Sequence, residues 1–418
     1  MQKNNSHKLL FAGIFATLSV GVFAHSFIKF EHQKNQNNSN LLTQQINSSA
    51  NSQTAFAAQD IVATSSQQIV VASSTITIIH LPTPDPLKSL YMTSWVAGTK
   101  TMRDHVINLL DTTEANAVVV DLKDYTGRIS YPVDDPALQA VGSAQNRIPS
   151  LTDLTTLLHS KNIYVIGRIA CFQDPYFAKL HPEYAVQDAS DKSVVWKDKS
   201  GLSWLDPGEQ PVWDYLIQIS NDAYAQGVDE IQFDYTRYPS DGDLANTYYP
   251  ASEGQDKATV INNFWVYLNQ HLHGTGPVMS VDLFGLTTTA KDDMGIGQNL
   301  ENALRNFDYV SPMVYPSHFG PGTDGFKDPQ AHPYDVVKDA MDGAVARAKA
   351  IGVSPLKLRP WLQDFGLFGE TYGPTQVREQ IQATYDAGLT SWLLWDASNV
   401  FTASALLPKD ATSTTISQ

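Results

Sequence analysis

From Leu90 onward, short apolar runs rich in β-branched residues alternate with longer segments of helical period. Eight runs read as strands: Leu90–Val96, Ala117–Leu122, Ile163–Phe172, Glu230–Tyr235, Val278–Phe284, Tyr309–Tyr315, Leu358–Leu362 and Thr390–Trp395. The segments between them predict helices near 101–112, 150–160, 209–226, 256–272, 298–306, 334–351 and 375–387. Strand, helix and strand repeated in this way imply a parallel sheet. Eight repeats over about 320 residues predict an α/β fold, a (β/α)8 TIM barrel, with a long insertion at about 173–208 after the third strand. A doubly wound open sheet is the alternative. No G-x-G-x-x-G follows the first strand, which removes the usual dinucleotide reading.

The pattern is different ahead of the barrel. Lys3 and Lys8 precede an apolar run from Leu9 to Ala24, the order of a signal peptide, and Val22-Phe-Ala24 offers small residues for cleavage. The stretch Leu9–Ile28 is also long enough to span a bilayer. Residues 1–30 are therefore expected to be a signal peptide or a membrane anchor, and on either reading the remainder is exported. Asn, Gln, Ser and Thr dominate the next stretch, as in Asn35-Gln-Asn-Asn-Ser-Asn40, and 31–80 reads as a flexible low-complexity linker. Residues 69–79 have the β-branched content of a strand, and Pro82–Pro86 marks the domain boundary. The folded domain is expected over 88–405, with a polar tail at 406–418.

In a parallel barrel the residues just past each strand share one mouth, and ligands bind there. The stretch Gly227–Pro239 shows this best: Val228, Ile231 and Phe233 are apolar, whereas Asp234 and Arg237 stand at its far end. Alternation places Gln232, Asp234 and Thr236 on one face, with Phe233 and Tyr235 on the other. The other strand ends bring Asp121 and Asp124, Arg168, Asp282, Tyr315 and His318, and Trp361 with Gln363. Asp174, Asp364 and Asp396 complete an acidic residue at six of the eight ends. Asp121 and Asp364 could instead cap the helices that follow, and Trp361 and Trp395 could fill the barrel. Glycosidic hydrolysis needs two carboxyl groups on either side of one bond, one protonated and one charged. Aromatic rings supply platforms for sugar faces, and an arginine favours the charged carboxylate.

Bulk composition narrows the partners. The chain has 418 residues, 42% hydrophobic, with eight Trp and eighteen Tyr. A net charge of −15 argues against nucleic acid, which requires clustered Lys and Arg. The single cysteine, Cys171, excludes an internal disulfide and reads as a buried small hydrophobe. His271-Leu-His273 has a spacing used by metal-dependent hydrolases, but it ends a helix rather than lying on a strand, and reads as a solvent-exposed pair. Neither H-E-x-x-H nor G-x-S-x-G occurs. No cofactor and no metal is expected, although Asp292 with Asp293, or Asp121 with Asp124, could hold Ca2+ or Mg2+, and Asp292 and Asp293 remain alternative acids.

Several longer segments carry a family resemblance: Tyr91–Gly98, Val119–Asp124, Asp229–Pro239, Val281–Gly285, Ser311–His318 and Arg359–Gln363. Together they resemble a bacterial and archaeal family of glycoside hydrolases known mainly as an uncharacterised domain, distantly similar to the α-amylase-like TIM barrels. The resemblance covers about 88–402. In the α-amylase-like barrels the nucleophile is an Asp ending strand 4, and the acid/base ends strand 5. By position those roles fall on Asp234 and Asp282. Two features depart from that pattern: Arg237 follows its aspartate by three residues, and strand 5 carries Asp rather than Glu.

The expected function is therefore a glycoside hydrolase acting on an extracellular or cell-envelope polysaccharide or oligosaccharide. Asp234 and Asp282 are its expected catalytic residues. Asp121, Asp124, Arg168, Arg237, Tyr315, His318, Trp361 and Gln363 are expected to bind or orient the sugar. The protein is expected to be secreted or held at the cell surface, touching the membrane through residues 1–30 if these are retained. A catalytically silent polysaccharide-binding barrel is the alternative. A deacetylase or lyase built on Tyr315 and His318 is a third reading.

Overall fold

The computed structural model describes residues 78–409 apart from Thr275 and Phe368. The expected leader, most of the linker and most of the polar tail lie outside the described residues. So does nearly all of the strand expected at 69–79; its last two residues, Ile78 and Ile79, are not in a strand.

Eight parallel strands close into a barrel. They are β1 (Lys88–Met92), β2 (Ala117–Lys123), β3 (Tyr164–Ala170), β4 (Glu230–Asp234), β5 (Val278–Phe284), β6 (Tyr309–Met313), β7 (Trp361–Gln363) and β8 (Trp392–Trp395). Each pairs with the next in sequence, and β8 returns to β1 with Ser89 opposite Leu393. Seven outer helices alternate with them: α1 (Lys100–Thr112), α2 (Leu151–His159), α3 (Gln210–Ala225), α4 (Lys257–Leu272), α5 (Leu300–Asn306), α6 (Pro333–Ala350) and α7 (Pro374–Asp386). Local chemistry sets their starts. Ser150, Asp256 and Asn299 cap α2, α4 and α5 with side-chain acceptors. Proline stands in the first turn of α3, α6 and α7, where its missing N–H is not needed.

Only β5 has the expected bounds; five strands shift by one or two residues at an end, and β1 and β7 shift by more. β1 stops at Met92 because Thr93 accepts a hydrogen bond from the Val96 N–H and starts a short helix, Ser94–Gly98. β7 is only three residues long; β6 meets it at Met313–Trp361, and an isolated bridge from Val310 to Leu358 joins the chain just ahead of it. Pro312 and Pro360 remove two ladder donors at this seam.

The domain also runs past its expected ends. Upstream of β1, the Leu81 N–H donates to Asp229 at 2.8 Å, and the Thr83 and Tyr164 hydroxyls are 3.0 Å apart. Downstream, Leu406 is buried and Pro408 bridges to Thr113, so the packed chain continues through three residues expected to be tail. The insertion after β3 forms a wall with the β4–α4 loop. A two-residue ribbon pairs Gln187–Asp188 with Thr247–Tyr248, and the carboxylate of Asp206 accepts from the N–H groups of Ala251 and Ser252.

Candidate active site

Polar residues fill the barrel axis because the strand alternation turns them inward. On β4 these are Glu230, Gln232 and Asp234, all buried. At the mouth end, the Arg168 guanidinium from β3 gathers three strand-end aspartates. Its Nη1 donates to Asp121 Oδ1 at 2.6 Å; Nε and Nη2 reach Asp234 Oδ2 at 3.0 and 2.5 Å. Nε also lies 3.9 Å from Asp282 Oδ2. Sharing Nε holds one oxygen of Asp234 and one of Asp282 within about 7 Å of each other, inside the ~10 Å range over which two carboxyl groups can flank one glycosidic bond.

The carboxyl groups occupy unlike surroundings. Asp234 accepts from Arg168 and, through Oδ1, from the Tyr235 N–H at 2.6 Å. Asp282 receives the Trp361 indole N–H on Oδ1 at 2.8 Å. Burial, and then the nearby charge of Asp234, push the Asp282 carboxyl well above the usual carboxylate range. Burial raises Asp121 as well, opposed by Arg168 and by the Tyr91 hydroxyl, which donates to Oδ2. Burial works against the charge on Arg168, but Asp234 and Asp121 hold it well above the usual guanidinium range. The trio has little open surface: Asp234 keeps 6% of its exposure and Asp282 1%.

Aromatic rings line this group. Tyr91 stacks on Trp395 at 3.9 Å, and Trp361 meets Trp395 edge-on at 5.5 Å. Trp395 also lies beneath the Arg168 guanidinium at 5.2 Å. Tyr315 is buried close enough to Asp282 and Asp234 for their charges to add to the burial that raises its hydroxyl pKa.

Among the expected residues, Asp121, Arg168, Asp234, Asp282, Trp361 and Tyr315 thus come together. The others are placed differently. Tyr235 adopts a left-handed φ of 52°, which breaks the alternation just after Asp234. It turns its ring toward Arg168 rather than away from the mouth. The chain then carries Arg237 into the insertion wall. There its guanidinium lies 4.5 Å over Phe284 at the end of β5, 4.9 Å over Trp204 and 5.3 Å over Tyr235, and donates to the Tyr238 carbonyl and to Ser240, so it borders the mouth without touching the aspartates. Asp124 binds Arg147 and Thr126. Gln363 ties the loops together by accepting from the Ser317 N–H and donating to the Phe365 carbonyl. His318 stands edge-on to Tyr315, with Nδ1 3.0 Å from Ser317 Oγ, and burial lowers its pKa to about 4.

The remaining strand-end acids have structural work. Asp174 pairs with Lys123 and caps the helix Pro175–Leu180; Asp364 accepts from Thr402 N and Oγ1; Asp396 caps a turn at Ser398. Asp292 and Asp293 accept backbone N–H groups in their own turn. His271 and His273 end α4 at the surface, and Cys171 is buried with its thiol raised by desolvation. Among the described residues, no group of three or more His, Cys, Asp or Glu is arranged to hold a metal ion, and no helix is long and apolar enough to cross a membrane.

Tyr91 was not among the expected site residues. Its signal was the same period-2 alternation, applied to β1: Ser89 and Tyr91 share the inward face.

A family model described as "Putative glycosyl hydrolase domain" matches residues 89–401. A hypothetical protein from Ruminiclostridium thermocellum is 35% identical over 50% of this chain and 98% of its own, with a TM-score of 0.43. The glycoside hydrolase domain of PgaB (BpsB) from Bordetella bronchiseptica is 14% identical, covering 77% of this chain and 97% of its own, with a TM-score of 0.56. The α-L-fucosidase isoenzyme 2 from Paenibacillus thiaminolyticus, also 14% identical, covers 77% of this chain and 48% of its own, with a TM-score of 0.51. At 14% identity these last two likenesses concern the fold, a barrel. No curated protein matches the sequence significantly.

Proposed function

The chain belongs to the family described as "Putative glycosyl hydrolase domain", and from that premise we propose that it hydrolyses an extracellular or cell-envelope polysaccharide with Asp234 and Asp282. The observation that carries this reading is the approach of two carboxyl groups in unlike surroundings to Arg168 Nε, at 3.0 and 3.9 Å. Burial favours the neutral form of Asp282, and the Trp361 N–H occupies its Oδ1, which leaves Oδ2 to carry the acid proton. Asp234, faced by a guanidinium, is the charged partner. In the first step the Oδ2 proton passes to the leaving glycosidic oxygen as its bond to the anomeric carbon breaks. Asp234 stabilises the positive charge there or forms an ester with that carbon. Water then adds to the carbon and returns a proton to Asp282. Asp121, Tyr91 and Arg168 hold the pair in place.

The N-terminal pattern of Lys3, Lys8 and the apolar run that follows supports export. The test is reducing-end release from a panel of soluble β-glucan, α-glucan, xylan, galactan and chitosan. We expect Asp282→Asn to lower activity about 10²- to 10⁴-fold, and Asp234→Asn to lower it at least as far. Full activity in both variants would refute the assignment. The near-complete burial of Asp282 favours one other reading, a barrel that binds polysaccharide without cleaving it. Binding without release on the same panel would select that reading.

A further inference from the structure

The short helix after β1 buries small and aliphatic residues and leaves its indole partly exposed. Ser94 is 2% exposed, and Val96 and Ala97 are buried, yet the Trp95 indole between them is 37% exposed. Ser94 is buried because its Oγ accepts from Arg147, while the Trp95 ring keeps an accessible surface. Behind the ring stands a rigid mount. The Arg147 guanidinium lies 5.0 Å from the ring centroid, and its side chain keeps only 7% of its exposure. Its nitrogens are committed to Asp124, Gln145 Oε1 at 2.9 Å, and Ser94 Oγ and Thr126 Oγ1 at 3.4 Å each. The helix is seated against the backbone of the same loop, because a Cβ at Gly98 would stand 1.8 Å from the Arg147 carbonyl oxygen. The loop after β8 is fixed here too. Asn399 accepts from the Thr93 N–H at 3.0 Å and donates to the Tyr91 carbonyl at 3.2 Å. An indole held against a buried charge, 37% exposed and three residues past the C-terminal end of β1, is a preorganised flat surface.

We propose that Trp95, mounted on Arg147 and Asp124, is a sugar-stacking subsite that holds a pyranose unit of the polysaccharide away from the bond being cleaved. The inference rests on the hydrolase reading and adds to it that the enzyme acts on chains, with affinity that grows with length. Trp95 begins three residues after the end of β1, on the strand that carries Tyr91 to Asp121. On this reading a chain seated over the carboxyl groups leaves past the C-terminal end of β1, where Trp95 stands. Asp124, expected from the sequence to touch sugar, contributes by fixing the arginine behind it.

The test uses the full protein and the same five polysaccharides, with oligosaccharides prepared from whichever of them is cleaved. In wild type, kcat/KM should rise with oligosaccharide length. In Trp95→Ala that gain should shrink about tenfold, the effect of losing one aromatic contact of roughly 1.4 kcal/mol. Trp95→Phe should retain part of it. Retardation in native gels containing the polysaccharide should weaken in the same order. Unaltered thermal unfolding of Trp95→Ala would show that the loss is one of contact rather than of fold. An identical length dependence and identical retardation in Trp95→Ala and wild type would overturn the inference while leaving the hydrolase reading standing. Retardation without cleavage would overturn the hydrolase reading, with Trp95→Ala still deciding the subsite. A wild-type protein that neither cleaves nor is retarded would overturn both.

Discussion

Arg168 is the residue on which the mouth of the barrel depends. One guanidinium serves three carboxyl groups, and its planar set of donors is what allows Nη1 to face β2 while Nε and Nη2 face β4. A lysine there could not satisfy both directions at once, so Arg168→Lys is expected to lower kcat about as strongly as removal of a carboxyl group, with the fold retained by circular dichroism. In the proposed mechanism Asp282 carries the pH dependence. Burial and the charge of Asp234 raise its pKa in the folded protein, so its acid form persists above the usual carboxylate range and is lost as pH rises through that raised value. Activity should therefore fall on the alkaline side of the optimum. In Asp282→Asn, assayed with an aryl glycoside whose leaving group needs no proton, that alkaline limb should vanish. A limb at the same position in the variant would remove Asp282 from the acid role.

Elements meet at the opposite end of the barrel through Asp229, just before β4. Its carboxylate accepts from the Leu81 N–H ahead of β1 and the Val165 N–H of β3, and lies 2.9 Å from His159 Nε2 at the end of α2. Removing it leaves buried donors unpaired. Asp229→Ala is expected to cost about 1–3 kcal/mol of stability, with Asp229→Asn losing less, as measured by denaturant unfolding. At the mouth, the insertion and the β4–α4 loop form one wall, and Arg237 belongs to it through Trp204. The strand and helix pattern was legible at this scale because burial on both faces of a parallel strand leaves apolar runs, and caps and prolines punctuate the helices. The short helix at Ser94 was not, since Tyr91–Val96 reads as one apolar run and only the Thr93 cap ends the strand.

Across the whole molecule the two ends of the barrel have separate duties. The proposed chemistry lies at the strand C-termini, whereas the far end holds a buried pair of Glu230 and Arg359, 3.0 Å apart, with the Tyr164 hydroxyl donating to the same carboxylate. Arg359→Ala strands a buried charge and is expected to cost about 3–5 kcal/mol. Its kcat, measured well below the lowered melting temperature, should stay within a few-fold of wild type, because the ring of contacts around Arg168 is untouched.

The sequence alone determined the alternation of eight strands with seven helices and hence a parallel α/β sheet; that the sheet closes into a barrel rather than staying open was decided by β8 pairing with β1. It also placed most strand ends, with the acids that stand at them, to within two residues, β1 excepted, where the Thr93 cap ends the strand early. What it left open is which of those acids meet. Asp121, Asp234 and Asp282 converge on one arginine, while Asp174, Asp364 and Asp396 close salt bridges, caps and turns at the same kind of position. That choice belongs to the tertiary structure. Closing the barrel turns Arg168 toward the axis at the level where β2, β4 and β5 end, and the left-handed backbone at Tyr235 sends Arg237, the nearer arginine in sequence, into the wall.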